Sequence, residues 1–296
     1  MRKRQWKMTC LAIWIGASAS ADEVGHPLPL WQVNSEQNRI YLLGSIHLLR
    51  EQDYPIPSAI YDAYENAEIL IMELDMDDMD PAEGQALTKE LGMIQDDRTL
   101  SDLMGSELYG EAETLAAAAQ IPIALLAKSE PWYAAMTVEI MLLMRMGFNP
   151  QYGIETHFMN LAADDGKEIL GFETMRQQLE LLDGLSPEVQ RDMLIQALAE
   201  GIELHALMDP MIDAWSKGDM TFIADNLLAD IEDYPEINQA IVVDRNIDWT
   251  NQIVDLLNDN EDYLVIVGTL HLVGDQGVPN LLQSRDYEVK QLRQYE

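Results

Sequence analysis

A mixed α/β fold, a sheet covered by helices, is what this sequence predicts, and three patterns predict it. Short apolar runs of strand length recur along the chain, and helical patterns lie between them. Two of the runs, 69–72 and 264–267, are continuously apolar rather than alternating, as expected of strands covered on both faces.

The strand candidates in order are 40–43, 69–72, 121–126, 168–172, 264–267 and 287–292. Pro131 opens a helix that runs to Met146 and stops at Gly147, with proline in the first turn and glycine as terminator. Ser186 and Pro187 start another, serine serving as N-cap. A further helix is predicted from about 235 to 257, with Ala240, Val243, Ile247, Val254 and Leu257 forming its apolar stripe. The stretch from about 174 to 258 reads as mostly helical and exceeds an ordinary crossover, so it is expected to cover the sheet or cap a site.

The first 21 residues read as an export signal. Arg2, Lys3, Arg4 and Lys7 lead an apolar stretch that ends in Ala19-Ser20-Ala21, a small-x-small cleavage pattern. Spanning a bilayer takes roughly twenty apolar residues, and this core has about half that, so no stable membrane insertion is expected. An uncleaved anchor is the alternative. The expected product is a periplasmic or secreted single domain, residues 22–296, with a helical subdomain in its middle.

Cleavage removes Cys10, the only cysteine, so neither disulfide nor thiolate chemistry is available to residues 22–296. It also leaves 14 basic against 52 acidic residues, a net charge of −38 against −34 for the full chain. Nucleic acid and anionic membrane surfaces are poor partners for such a field. Solubility in a cation-rich medium is the simplest reading of the acidity.

Chemistry concentrates where apolar runs end. Two runs lead into Gly-x-x-His: Gly44 to His47, and Gly268 to His271, more than two hundred residues apart. Two others lead into Glu73 and Glu173. In open α/β sheets ligands bind beyond the carboxyl ends of strands, so two histidines and two glutamates there compose a metal site or an acid/base pair. The order His-Glu, then Glu-His, points to an internal pseudo-duplication. Each Gly could equally be an ordinary strand-ending turn. Without cysteine, a metal site would favour zinc, manganese or cobalt on His, Asp and Glu.

Other residues weigh less. Asp75, Asp77, Asp78 and Asp80 read as a solvated acidic loop, lacking the glycine and distal glutamate of a calcium loop. His157 stands two residues from Glu155 and points away from it on a helix. His205 reads as structural, and His26 as part of an exposed N-terminal segment. Met136, Met141, Met144 and Met146 read as core before they read as a ligand groove. By helical position Arg245 lies off the apolar stripe, three residues before Asp248, which reads as a surface pair.

The motifs together resemble the TraB/GumN family, whose relatives include the Tiki metalloproteases. The matching pieces are Leu43-Gly44-Ser45-Ile46-His47, Met72-Glu73-Leu74-Asp75, Tyr152-Gly153-Ile154-Glu155-Thr156-His157-Phe158, Gly171-Phe172-Glu173-Thr174, Asp244-Arg245-Asn246 and Val267-Gly268-Thr269-Leu270-His271. They stand in family order from about residue 30 to 293. The resemblance implies one central site holding both histidines and, from the Tiki branch, metal-dependent hydrolysis of a peptide or small-molecule substrate. Carried over by motif, His47 and His271 would be metal ligands or catalytic residues, and Glu73 and Glu173 ligands or general base. Arg245 would reach into the site with Asn246, to hold a substrate carboxylate or an oxyanion. Glu155 stands where the family often has Asp. The alternatives are a metal-free His/Glu esterase, for which erythromycin esterases are the distant precedent, and a non-enzymatic metal, haem or ligand binder.

Overall fold

The computed structural model describes residues 25–75, 80–201, 204–232 and 234–295. The expected export signal, residues 1–21, and Asp77 and Asp78 lie outside the described residues. Six strands form one sheet: β1 (Gly25–Asn34), β2 (Arg39–Ser45), β3 (Ile69–Leu74), β4 (Glu168–Glu173), β5 (Tyr263–Gly268) and β6 (Val289–Tyr295). Their spatial order is β4-β3-β5-β2-β1-β6. The first four in that order run parallel, while β1 is antiparallel to both β2 and β6. The fold is therefore the expected mixed α/β class.

Side-chain alternation divides the core between the two faces of the sheet. Tyr41, Leu43, Leu264 and Ile266 pack into one cluster with Phe158 and Trp215; Ile40, Leu42, Val265 and Val267 pack into the other with Trp249 and Ile253. Central strands covered on both faces read as unbroken apolar runs because both phases of the alternation are buried. Fully burying each such side chain contributes about 1.5–3 kcal/mol. A third cluster, around Leu100, Val138, Leu142 and Leu194, lies among helices alone.

Four expectations need correction. Residues 121–126 form no strand: Ile123–Leu126 is a 3-10 helix after Pro122, whose ring removes a ladder donor. Strand β1 went unread because Pro27 and Pro29 interrupt its pattern; the register against β6 shifts between Pro27 and Trp31, which absorbs them. The helix from 235 onward contains a π segment, Asn238–Val243, before the α-helix Asp244–Leu256. Within that α-helix Arg245, Asn246, Trp249, Thr250 and Ile253 share one buried face at regular helical spacing, whereas Ile247 of the expected stripe is exposed.

The internal pseudo-duplication is not borne out. The two Gly-x-x-His strands are neighbours, but Ser45, not Gly44, pairs with Gly268, and the two histidines end in different surroundings. What does position the site is parallel alignment. Strands β4, β3, β5 and β2 all point the same way, so their carboxyl ends, with Glu173, Glu73, Gly268 and Ser45, line one edge of the sheet. From the covering helices, Trp215, fully buried, donates its indole N–H to the Gly44 carbonyl at 2.7 Å and ties that layer to the first motif.

Candidate active site

His47 follows β2 and sits at the surface, its side chain 61% exposed. Its Nδ1 lies 2.8 Å from Glu155 Oε1, on the first turn of the helix Ile154–Asp165. The helix is fastened to the motif by the Ile154 N–H donating to the Ile46 carbonyl at 3.1 Å. Gly153 permits this approach, because a Cβ there would strike the His47 carbonyl. Ser45 also donates to Glu155 Oε1. The Glu155 carboxylate raises the His47 pKa from 6.5 to about 9, against the opposing effect of burial. Burial resists the charge on Glu155, but His47, Ser45 and the helix N-terminus hold its carboxyl below the usual range. Water at the exposed imidazole screens part of this attraction.

His271 is the opposite case: 4% exposed, within a short 3-10 helix, Thr269–Leu272. Its Nδ1 is 2.7 Å from Asn246 Oδ1, and Asn246 Nδ2 donates to the Gln276 carbonyl at 2.8 Å. With the amide fixed in that sense, Oδ1 accepts from His271 Nδ1–H. The His271 Nε2 then accepts from Arg245 Nη1 at 3.2 Å. This tautomer is neutral, and burial with the nearby Arg245 and His47 charges pushes the pKa down to about 4.

Arg245, 8% exposed, is the hub. Its Nε donates to Glu173 Oε1 at 2.9 Å and its Nη2 to Glu173 Oε2 at 3.0 Å and Glu73 Oε2 at 2.6 Å. Its Nη1 also reaches the Ile241 carbonyl of the π segment at 3.3 Å, and its guanidinium lies 4.5 Å from the Trp249 ring centre. The expected surface pair with Asp248 does not form; Asp248 accepts instead from Gln252 at 2.9 Å. Glu173 Oε1 is further bonded by Trp249 Nε1 at 3.0 Å. Glu73 Oε1 accepts the Gly268 N–H at 2.8 Å and its Oε2 a Gln178 amide at 3.0 Å. Burial alone would raise the Glu73 pKa, but His271, Arg245, His47 and the Gly268 N–H together lower it to about 2. At neutral pH, with His271 uncharged, Arg245 carries most of that stabilisation.

The distant motifs therefore meet. A Cβ added to Gly268 would lie 3.3 Å from Glu73 Oε1 and 3.6 Å from both His47 Nε2 and His271 Cδ2, so these three side chains converge on the glycine. His47, Glu73, Glu155, Glu173, Arg245, Asn246 and His271 form one connected cluster. His157 is outside it, packed against Tyr54, Tyr61 and Phe158 with ring centres 5.1–5.6 Å away. Sequence reading missed Gln178, Trp249 and Trp215. Trp249 was within reach, one helical turn after Arg245; Gln178 carried no pattern.

The donor types suit a zinc, manganese or cobalt ion, since each imidazole has its Nδ1 tied to an oxygen and its Nε2 free of a protein acceptor. The positions do not fit one. Arg245 already binds both carboxylates and stands against His271 Nε2, where a dication would meet a guanidinium. Among the described residues no three His, Cys, Asp or Glu groups are placed to hold a metal ion.

Fold and site define a class: an α/β protein whose His-Glu-Arg centre lies at the carboxyl ends of parallel strands. The chain belongs to the TraB/PrgY/gumN family, whose profile matches residues 29–291. It is similar to Uncharacterized protein YbaP of Escherichia coli (strain K12), 22% identical over 248 residues that cover 82% of this chain and 87% of that one. The Shigella flexneri YbaP gives the same figures. An uncharacterized protein of Treponema pallidum (strain Nichols) is 25% identical over 175 residues, 58% of this chain and 51% of its own. No solved structure matches. Among the described residues no helix is long and apolar enough to cross a membrane.

Proposed function

We propose that the protein is an exported hydrolase acting on peptide bonds, with His47 as general base. The observation that carries this reading is the His47 imidazole, held at Nδ1 by Glu155 while Nε2 and Glu73 Oε1 both face Gly268. A water between those two atoms donates one hydrogen bond to Glu73 and one to neutral His47. His47 takes the proton as the water oxygen attacks the scissile carbonyl, and Glu155 stabilises the imidazolium that forms. The imidazolium then returns the proton to the departing amine. Glu73 is too acidic to be the base and serves as an acceptor that orients the water. Arg245 and Gln178 keep it ionised and in place. Export rests on the 1–21 leader, and the strong acidity accords with a peptide rather than a nucleic acid substrate.

The alternative is the divalent-ion hydrolase that the family resemblance implies, and the guanidinium against His271 Nε2 counts against it. Assay of the purified chain on peptide and ester panels, with and without EDTA, beside elemental analysis of wild type, His47→Ala and His271→Ala, separates the two. Turnover that survives EDTA and disappears in His47→Ala is expected. Stoichiometric metal lost equally from both variants, with turnover lost to EDTA, would replace the first reading by the second.

A further inference from the structure

The sheet has two edges, and they are built differently. Strand β6 carries exposed Lys290 and Arg293, and its register with β1 is interrupted near Pro27. Cations and bulges are devices by which proteins keep an edge from pairing with another chain. Strand β4, at the opposite end, has neither. It pairs only with β3, in uninterrupted register through Ile69↔Glu168 to Met72↔Gly171, and contains no lysine, arginine or proline. Among the described residues no backbone group pairs with its outer edge.

That edge is open to solvent. Glu168 and Gly171 are exposed and Leu170 is 36% exposed. The Phe172 carbonyl takes only a long contact, 3.5 Å, from the Gln252 amide. One residue further on, the strand ends at Glu173, which Arg245 holds inside the candidate site. A chain laid along β4 would end beside Glu173, at the same end of the sheet as the candidate site.

We propose that the outer edge of β4 is the docking strand for an extended, lysine- or arginine-bearing segment of the peptide substrate. This inference rests on the hydrolase reading and names how its substrate is held. A row of alternating N–H and C=O groups is complementary to an extended peptide backbone, which is the basis of recognition by strand addition. Charge selects the occupant. Glu168 flanks the edge, and the chain carries −34 overall, so a second copy is repelled and a cationic peptide is drawn in. At about 3.3 Å per residue, the six residues of β4 engage a segment of similar length, and a tripeptide leaves half of the edge unused.

The test uses the full chain and fluorogenic peptides of alternating lysine and leucine, as tripeptides and octapeptides. The octapeptides are also made with backbone N-methyl groups at odd or at even positions. In a strand, successive N–H groups point to opposite sides, so only one phase of methylation meets β4. The octapeptide is expected to show kcat/KM at least tenfold above the tripeptide, with one methylation phase abolishing the gain and the other preserving it. Equal kcat/KM for both lengths, or equal sensitivity to both phases, overturns the inference while leaving the hydrolase reading intact. If no peptide is cut, the hydrolase reading fails. Fluorescence anisotropy of the same octapeptides then decides the edge separately: phase-dependent binding supports it, and absent or phase-independent binding overturns it. A doubled mass in light scattering that Leu170→Pro returns to monomer assigns the edge to a second copy and also overturns the inference.

Discussion

Arg245→Met is expected to destabilise the fold by about 3–5 kcal/mol and to abolish turnover, because it leaves two buried carboxylates facing each other. Glu73 and Glu173 are nearly enclosed, and between them they accept three of the guanidinium's closest bonds. The acid side of the stability curve makes the effect specific. In the wild type, Glu73 has its pKa depressed from 4.5 to about 2, so its contribution is present above pH 4.5 and is lost as pH falls through about 2. Without Arg245 the orphaned pair gains stability on protonation, so the urea midpoint of the variant should rise between pH 7 and pH 5. Adding Glu173→Gln should recover part of the loss at pH 7. Arg245→Lys should recover little, because one ammonium cannot reproduce the forked contacts to both carboxylates. A midpoint that stays level from pH 7 to 5 in Arg245→Met would show that the arginine does not hold Glu73 ionised.

Glu155→Gln is expected to move the pH dependence of catalysis. Neutral His47 is the active base, so kcat/KM in the wild type should climb with pH and level off above about 9. The amide removes the charge that holds His47 protonated, and the ascending limb should shift toward 6.5. The plateau should fall by about 10²–10⁴-fold, because the imidazolium formed in the reaction loses its counter-charge. Stability should change over the same pH range. A raised His47 pKa contributes stability below 6.5 that is lost as pH rises through about 9, so Glu155→Gln should flatten the curve in that window. An unshifted limb would mean that a group other than His47 accepts the proton.

Much of this arrangement was legible in the sequence, and the reasons are physical. The central strands announced themselves because burial on both faces leaves no polar phase, and polar residues just past their ends marked the site edge. Both histidines, Glu73 and Glu173 followed from that logic. Arg245 did not: the stripe drawn through Val243, Ile247 and Val254 puts it on the surface, whereas the buried face of Asp244–Leu256 runs through Trp249 and Ile253, one and two turns after Arg245. Family likeness supplied that residue where periodicity could not. Strand β1 was hidden by its two prolines, which a register shift accommodates. The difference between the histidines was equally unreadable, because it depends on Glu155 and Asn246 arriving from separate helices. The two motifs look alike and act differently: His47 is exposed and charged by its partner, His271 enclosed and neutral.

The central claim is that two motifs more than two hundred residues apart make one hydrolytic centre. Its most direct measurement is a double-mutant cycle in kcat/KM, with His47→Ala, His271→Ala and the double variant assayed on whichever peptide the wild type turns over best. The account predicts a large loss in each single variant and almost no further loss in the double, since His271 supports Arg245 and through it Glu73, which orients the water that His47 deprotonates. Losses that multiply in the double variant, or full activity in His47→Ala, would contradict it.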